Sequence, residues 1–178
     1  ILAGLVAYVV ATYNSLVQLR VRSESSWSDI DVQLKRRYDL IPNLVETVKG
    51  YAKHERVTLE AVIAARNQAV GAERKAAAMP GDAQAMASLA GAEGVLSGAL
   101  GRFFALAEAY PDLKANQSFT SLQARISEIE NHIADRREFY NDVVTTLNTR
   151  IQQIPDMYVA GWLSLTPAEL FRAADGDR

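Results

Sequence analysis

Residues 27–55 read WSDIDVQLKRRYDLIPNLVETVKGYAKHE, and apolar side chains recur in them every three or four positions. That spacing places one side chain per turn on the same face of an α-helix. The same spacing extends towards the N-terminus and predicts a long helix with one buried seam: Tyr13, Leu16, Arg20, Ser23, Trp27, Ile30, Leu34, Tyr38 and Ile41. A heptad-like seam of this length is typical of helices that pack along their whole length.

A second seam continues the pattern: Val45, Val48, Ala52, Glu55, Leu59, Val62, Arg66 and Ala69. A helix break is predicted between the two seams, at Asp39-Leu-Ile-Pro42. Proline cannot donate a hydrogen bond to Tyr38, and it disfavours helical geometry at Ile41. A single kinked helix is the alternative.

A third helix is predicted from a cap at Asp82 to about Ala109. Each interior glycine destabilises a helix by about 1 kcal/mol relative to alanine. The several small residues in this helix therefore require an explanation. Close approach of a neighbouring helix is the favoured one, and a ligand groove is the alternative. The small residues are Gly91, Gly94, Ser97, Gly98 and Gly101.

A fourth helix is predicted behind a capping box at Thr120-Ser-Leu-Gln123, and it ends before Pro155. Thr166-Pro-Ala-Glu169 is a second capping box and predicts a short final helix. The seam of the fourth helix is Leu122, Ile126, Ile129, Ile133, Arg136, Tyr140, Val143, Leu147 and Ile151. The predicted fold is all-α: an elongated four-helix up-down bundle with a long first helix and a short C-terminal helix.

The N-terminal segment is apolar and carries no charge. Residues 1–12 are predicted to be the C-terminal part of a transmembrane helix. The basic residues Arg20 and Arg22 follow this segment, as is common where a helix leaves a membrane. A truncated signal peptide or a buried helix start is the alternative. The predicted membrane contacts are Ile1, Leu2, Leu5, Val6, Tyr8, Val9, Val10 and Tyr13. Residues 13–155 form the predicted bundle, and the positive-inside tendency places it on the cytoplasmic side of that membrane.

Polar residues stand on the seams where apolar ones are expected: Arg20, Glu55, Arg66, Arg136 and Tyr140. A buried arginine must find a carboxylate or a carbonyl, and Arg136 is predicted to bond a carboxylate of helix one or two. These residues set the helix register, or they form a ligand-sensing polar site. Lys35-Arg36-Arg37 is either an anionic lipid patch or a solvated helix face.

The C-terminal segment, residues 156–178, is strongly apolar for a chain terminus. Its predicted contact residues are Met157, Tyr158, Trp162, Leu163, Leu165, Leu170 and Phe171. They pack on their own bundle, on a neighbouring subunit, or in a membrane interface with Trp162 as the anchor.

Composition and motifs argue against catalysis and against nucleic-acid binding. The net charge is −2, cysteine is absent, and there are two histidines. Neither histidine belongs to a Glu-x-x-His pair of the di-iron bundles, and no nucleophile elbow or phosphate loop is present. We therefore predict a protein that is not an enzyme and that uses no metal, no cofactor and no nucleic-acid partner.

Four segments resemble one known family in order along the chain. They are Trp27–Glu55, Tyr110–Asn116, Arg136–Asn141 and Thr166–Phe171. The chain is similar to the LemA family of membrane-anchored helical proteins of bacteria, although that family usually has two aromatic residues where Leu170-Phe171 stands here. The resemblance implies a single-pass N-terminal anchor in the bacterial inner (cytoplasmic) membrane and a helical soluble domain. Relatives occur beside envelope proteins and in magnetosome membranes, which implies membrane organisation.

The functional prediction is a non-enzymatic, membrane-anchored scaffold that self-associates as a homo-oligomer through its long helices and its apolar tail, and that organises the bacterial membrane or envelope. An envelope protein is a further candidate partner. The alternative is a membrane-tethered signalling adaptor that binds a partner protein or a small ligand.

Overall fold

The computed structural model describes residues 2–52 and 55–173, and it is all-α in that part of the chain. Four long helices follow one another: α1 (Leu2–Lys49), α2 (Arg56–Ala78), α3 (Ala83–Ala107) and α5 (Gln117–Gln152). Two short ones accompany them, α4 (Pro111–Lys114) and α6 (Asp156–Trp162). The predicted all-α bundle with a long first helix is confirmed. With 48 residues, α1 is about 72 Å long.

The core lies along the predicted seams. Leu16, Trp27, Ile30, Leu34 and Tyr38 of α1 are all buried. The seam of α5 faces them in antiparallel order, so that Leu16 packs near Leu147 while Trp27 contacts Tyr140. Helices α2 and α3 form a second antiparallel pair, which packs on α1 through α2.

The predicted break at Asp39–Pro42 is wrong, because α1 continues through Pro42 to Lys49. The turn falls instead after Gly50. Proline leaves the carbonyl of Tyr38 without its helical donor. The guanidinium of Arg66 takes that place, with its Nε 3.1 Å from the Tyr38 oxygen. A tertiary hydrogen bond thus replaces the missing backbone bond and keeps proline inside the helix.

Side-chain caps set the starts of α3 and α5. Asp82 accepts a hydrogen bond from the Ala85 N–H at 2.8 Å, as predicted. The capping box predicted at Thr120 is wrong, because the cap of α5 is Asn116, four residues earlier. Asn116 accepts from the N–H of Phe119 at 3.0 Å, and this earlier start lets Phe119 enter the core.

The final helix predicted at Thr166 is also wrong. The short C-terminal helix is α6, at Asp156–Trp162, and residues 165–173 are non-helical. Their backbone groups are already used: Asn148 and Asn141 bind the backbone of Ala168 and Phe171, and the Glu169 N–H donates to the carbonyl of Gly81 at 2.9 Å. Peptide groups that bond to another element cannot close a helical turn.

Candidate functional site

A largely buried charged pair joins α1 to α3. The guanidinium of Arg37 donates from Nη2 to the Glu93 carboxylate, and the hydroxyl of Tyr38 donates to the other oxygen of Glu93. Arg37 is only 3% exposed, and its Nε has no hydrogen-bond partner among the described residues. Burial, followed by the charge of Glu93, raises the pKa of Tyr38. The hydroxyl therefore stays protonated and remains a donor.

A second polar cluster joins α1 to α2. Lys35 Nζ lies 2.6 Å from Asp31 Oδ2 and 3.5 Å from Glu73 Oε1. Glu73 is 2% exposed. Burial raises the pKa of Glu73 to about 7, the adjacent Asp31 carboxyl adds to the rise, and Lys35 opposes it. Two close carboxyl groups of which one is buried tend to share a proton, so we expect the charge of this cluster to depend on pH.

The predicted polar seam residues lie in different environments. Arg20 is exposed and pairs with Glu24 at 3.1 Å, so its predicted place on a buried seam is wrong. Glu55 precedes α2 and accepts from the Tyr110 hydroxyl at 3.3 Å. Arg66 is half-buried and, as described above, binds the Tyr38 carbonyl.

Arg136 does not make the bond that we predicted for it. It is half-buried, and its Nε is enclosed without a hydrogen-bond partner in the described part of the chain. The buried arginine–carboxylate pair is made by Arg37 with Glu93 instead. Sequence reasoning placed Arg37 on a lipid patch or a solvated face, and the one available signal was its position beside the seam residue Tyr38.

Three of the α3 glycines, Gly91, Gly98 and Gly101, do not serve close helix packing as we predicted. A Cβ added at Gly91, Gly98 or Gly101 would meet nothing within 4 Å. They line an open groove of about 740 Å³ between α3 and α5. Arg37 and Glu93 lie at its floor, and it is lined further by Ile133, Ala134, Arg137, Phe171 and Arg172. The groove alternative therefore describes this edge of the bundle better than close packing does.

The last residues of the described chain form a strap across α1 and α5. Asn148 binds the backbone of Ala168 through two hydrogen bonds of 2.8 and 2.9 Å. Asn141 binds the backbone of Phe171 in the same way, at 3.0 and 2.8 Å. Sequence reasoning missed both asparagines, although their spacing of two helical turns on one face of α5 was a usable signal.

Aromatic packing completes the strap. The ring of Phe171 is buried and packs in a T-shaped arrangement with Trp27, at 5.9 Å between centroids, and Tyr140 packs on Trp27 in the same way at the same distance. The hydroxyl of Tyr140 donates to the carbonyl of Glu169 at 3.1 Å, and burial raises the pKa of Tyr140 to about 12. This part of the apolar tail therefore packs on its own bundle.

The rest of the tail divides between buried and exposed residues. Leu163, Leu165 and Leu170 are half-buried. Met157, Tyr158 and Trp162 of α6 are exposed, Trp162 by 75%.

The predicted anchor forms the free end of α1. Leu2, Leu5, Val6, Tyr8, Val10 and Tyr13 are exposed and Val9 is half-buried, while Ile1 lies outside the described residues. Residues 2–19 carry no charge and are about 27 Å long as a helix. Helices α1 and α3 are both long and apolar enough to cross a membrane by length and composition. Only α1 has that segment near the N-terminus, and just 11% of it is buried against the protein.

No group of three or more His, Asp or Glu is placed to hold a metal ion within residues 2–52 and 55–173. The features that stand out are thus a projecting apolar helix end, a charged pair under a glycine-lined groove, and an aromatic strap. Together they define a class: an all-α bundle on a single long helix with an apolar, uncharged end.

Comparison with known proteins identifies the family. The model of the LemA family matches residues 26–178, so the chain belongs to the LemA family. It is 28% identical to the magnetosome protein MamQ 2 of Paramagnetospirillum magneticum over 94% of this chain and 67% of that protein. It is 26% identical to MamQ of Magnetospirillum gryphiswaldense, over 89% of this chain and 64% of the relative. Protein LemA of Metamycoplasma hominis is 26% identical, with 95% and 73% covered. The chain thus spans about two thirds of the length of the magnetosome relatives.

Proposed function

We propose that this protein is a non-enzymatic scaffold of the bacterial cytoplasmic membrane, anchored by the start of α1, which self-associates and organises the membrane around it. The observation that carries the proposal is the exposed, uncharged end of a helix that runs without interruption into the core of the bundle. The names of two relatives as magnetosome proteins agree with a role at a membrane. The positive-inside tendency of Arg20 and Arg22 favours a cytoplasmic bundle.

Membrane anchoring is tested by a matched pair of substitutions on α1. Val6 is 56% exposed in the apolar end, and Val21 is 58% exposed just beyond Arg20. An arginine in the middle of a bilayer costs about 3 kcal/mol on insertion scales. Val6→Arg should therefore reduce flotation of the chain with lipid vesicles, and Val21→Arg should not. Equal flotation of both variants and the unsubstituted chain would refute the anchor.

Self-association is supported by an exposed apolar surface on the α2–α3 pair. Val57 and Val95 are 81% and 52% exposed there, and they border a groove of about 610 Å³ in which Arg102 is the one charged residue among the described lining. Exposed apolar surface of this kind is typical of protein–protein contacts. Because Val95 is exposed, its replacement should change association without unfolding the chain.

Analytical ultracentrifugation of the detergent-solubilised chain tests this part of the proposal. We expect an oligomer that Val95→Lys dissociates. Ala124→Lys, on an exposed position of α5, is the matched control and should leave the oligomer intact. A monomer at micromolar concentration in the unsubstituted chain would refute self-association.

A second candidate function is an adaptor that binds a partner or a small ligand in the α3–α5 groove. The specific observation is the open glycine wall above the buried Arg37–Glu93 pair. Gly91→Leu should fill the groove and remove a partner that co-purifies stoichiometrically in mild detergent. Gly71→Leu is the matched control, since Gly71 is an exposed helical glycine of α2 with open space at its Cβ. Recovery of the chain alone from the unsubstituted protein would favour the scaffold.

A further inference from the structure

Helix α6 is held against the part of α1 that adjoins the apolar end. Val159 and Ala160 are buried in a small cluster with Leu16, Leu147 and Ile151. The buried carboxylate of Asp156 accepts hydrogen bonds from Arg150 Nε at 2.5 Å and from the Tyr8 hydroxyl at 3.4 Å. Arg150 also donates to Ser15 Oγ at 2.8 Å. These contacts fix α6 beside residues 8–16 of α1.

The other side of α6 is apolar and exposed. Ile154, Met157, Tyr158 and Trp162 are exposed by 73%, 40%, 60% and 75%. Tyr158 and Trp162 are four residues apart and lie on one face of the helix, Met157 adjoins Tyr158, and Ile154 precedes the helix. None of the four is charged. A group of exposed apolar side chains that includes two aromatic rings at more than half exposure usually contacts a membrane or another protein.

The position of the patch indicates its occupant. On α1, Leu2, Leu5, Val6 and Val10 are exposed, and Thr12 is the first buried residue. The patch of α6 lies beside this change from exposed to buried. Tryptophan and tyrosine concentrate at the level of the lipid headgroups, because their rings are apolar while their N–H and O–H groups need water. The first charged residues of α1, Arg20 and Arg22, follow Thr12 by about two to three helical turns, as is expected on the water side of a membrane edge.

We propose that α6 lies in the interface of the bilayer that surrounds the end of α1, with Trp162 and Tyr158 at headgroup level and Ile154 and Met157 among the upper acyl carbons. This inference rests on the proposed membrane anchor and adds a second, lateral contact to it. One helix fixes a protein to a membrane without fixing its tilt. A second contact, locked to α1 through Asp156 and Arg150, sets the angle at which the bundle leaves the bilayer.

The chain contains two tryptophans, which makes the proposal directly testable. Trp27 is buried in the bundle and Trp162 is exposed on α6. The full chain is reconstituted in vesicles of phosphatidylcholine and phosphatidylglycerol that carry bromine atoms either near the glycerol end or near the methyl end of the acyl chains. Trp27→Phe isolates the emission of Trp162. If that variant does not fold, the difference between the unsubstituted chain and Trp162→Phe isolates the same signal.

We expect Trp162 to show blue-shifted emission in vesicles and to lose most intensity when bromine lies near the glycerol end. Trp27, measured in Trp162→Phe, should lose none. Emission from Trp162 that stays solvent-like, or that is blue-shifted but unaffected by bromine, would overturn the inference; the second result would assign the patch to another copy of the chain. Flotation of the same samples separates the two proposals. A chain that floats while bromine leaves Trp162 unquenched refutes the α6 contact alone, and a chain that does not float refutes the anchor as well.

Discussion

Two edges of the bundle differ in how they are completed. Along α1 and α5, the strap of residues 166–171 covers the seam with the Phe171 ring and binds two asparagines of α5. Along α3 and α5, nothing in the described chain fills the space, and glycines face an open groove. The closed edge is stabilised by buried apolar side chains and by hydrogen bonds to the backbone of the strap. At the open edge, a largely buried charge pair lies beneath an accessible surface. Within the described chain, the first edge therefore contributes packing that stabilises the fold, and the second leaves an accessible surface.

Substitution of the Arg37–Glu93 pair beneath the open groove should lower the free energy of unfolding most. Arg37→Ala leaves the mostly buried Glu93 carboxylate without its charge partner, and we expect a loss of about 3–5 kcal/mol in the free energy of unfolding. Arg37→Met combined with Glu93→Leu should restore most of it. Denaturant unfolding of the detergent-solubilised chain measures both. A loss below about 0.5 kcal/mol for Arg37→Ala would mean that water reaches the pair.

The closed edge should be nearly as sensitive. Phe171→Ala removes a buried ring that packs on Trp27, and large-to-small changes of this type cost about 3–4 kcal/mol. Trp162→Ala is the comparison on the same tail, and at 75% exposure it should change unfolding by less than about 0.5 kcal/mol. Denaturant unfolding of the two variants measures both losses. Equal losses for the two variants would show that the strap does not close the bundle.

The α1–α2 joint should give a smaller, pH-dependent effect. The pKa of Glu73 rises from 4.5 to about 7, so the folded chain binds more protons than the unfolded chain across that window. The contribution of Glu73 to stability therefore falls as pH rises from about 4.5 to 7 and levels off above it. Glu73→Gln should remove this slope and stabilise the chain at pH 8 by on the order of 1–3 kcal/mol. Melts of both proteins between pH 5 and 8 test it, and parallel curves would contradict the assignment.

The glycines give the smallest effect and the one that separates the edges most directly. Gly91→Ala at the open edge should stabilise by about 0.5–1 kcal/mol, because the added Cβ meets nothing and alanine is the better helix former. Gly81→Ala beneath the strap should destabilise. Gly81 has φ +82°, and its added Cβ would lie 2.9 Å from the Ala168 Cβ. Opposite signs in thermal melts support the comparison, and destabilisation by Gly91→Ala would place a close neighbour in the groove.

Helical periodicity is a local property of the chain, so the spacing of apolar residues is enough to predict the seams. Leu16, Ile30 and Leu34 were predicted to be buried and are buried. The caps were less certain, because Asn116 and Thr120 both suit a helix start and only the burial of Phe119 distinguishes them. Pro42 shows the limit of local rules, since the donor that lets it remain in α1 comes from Arg66, and that residue lies 28 positions from the Tyr38 carbonyl it binds.

The amino-acid pattern alone was enough for the all-α bundle, the family and the uncharged apolar start, because each depends on residue type and on spacing within a few turns. The pairing of Arg37 with Glu93 across 56 positions depended on tertiary structure, and so did the open face of the α3 glycines and the strap that replaced the predicted final helix. Each of these follows from how far one helix is rotated and shifted against another. A heptad seam leaves that offset undetermined, because a slide of one repeat buries the same apolar faces while it exchanges every polar partner.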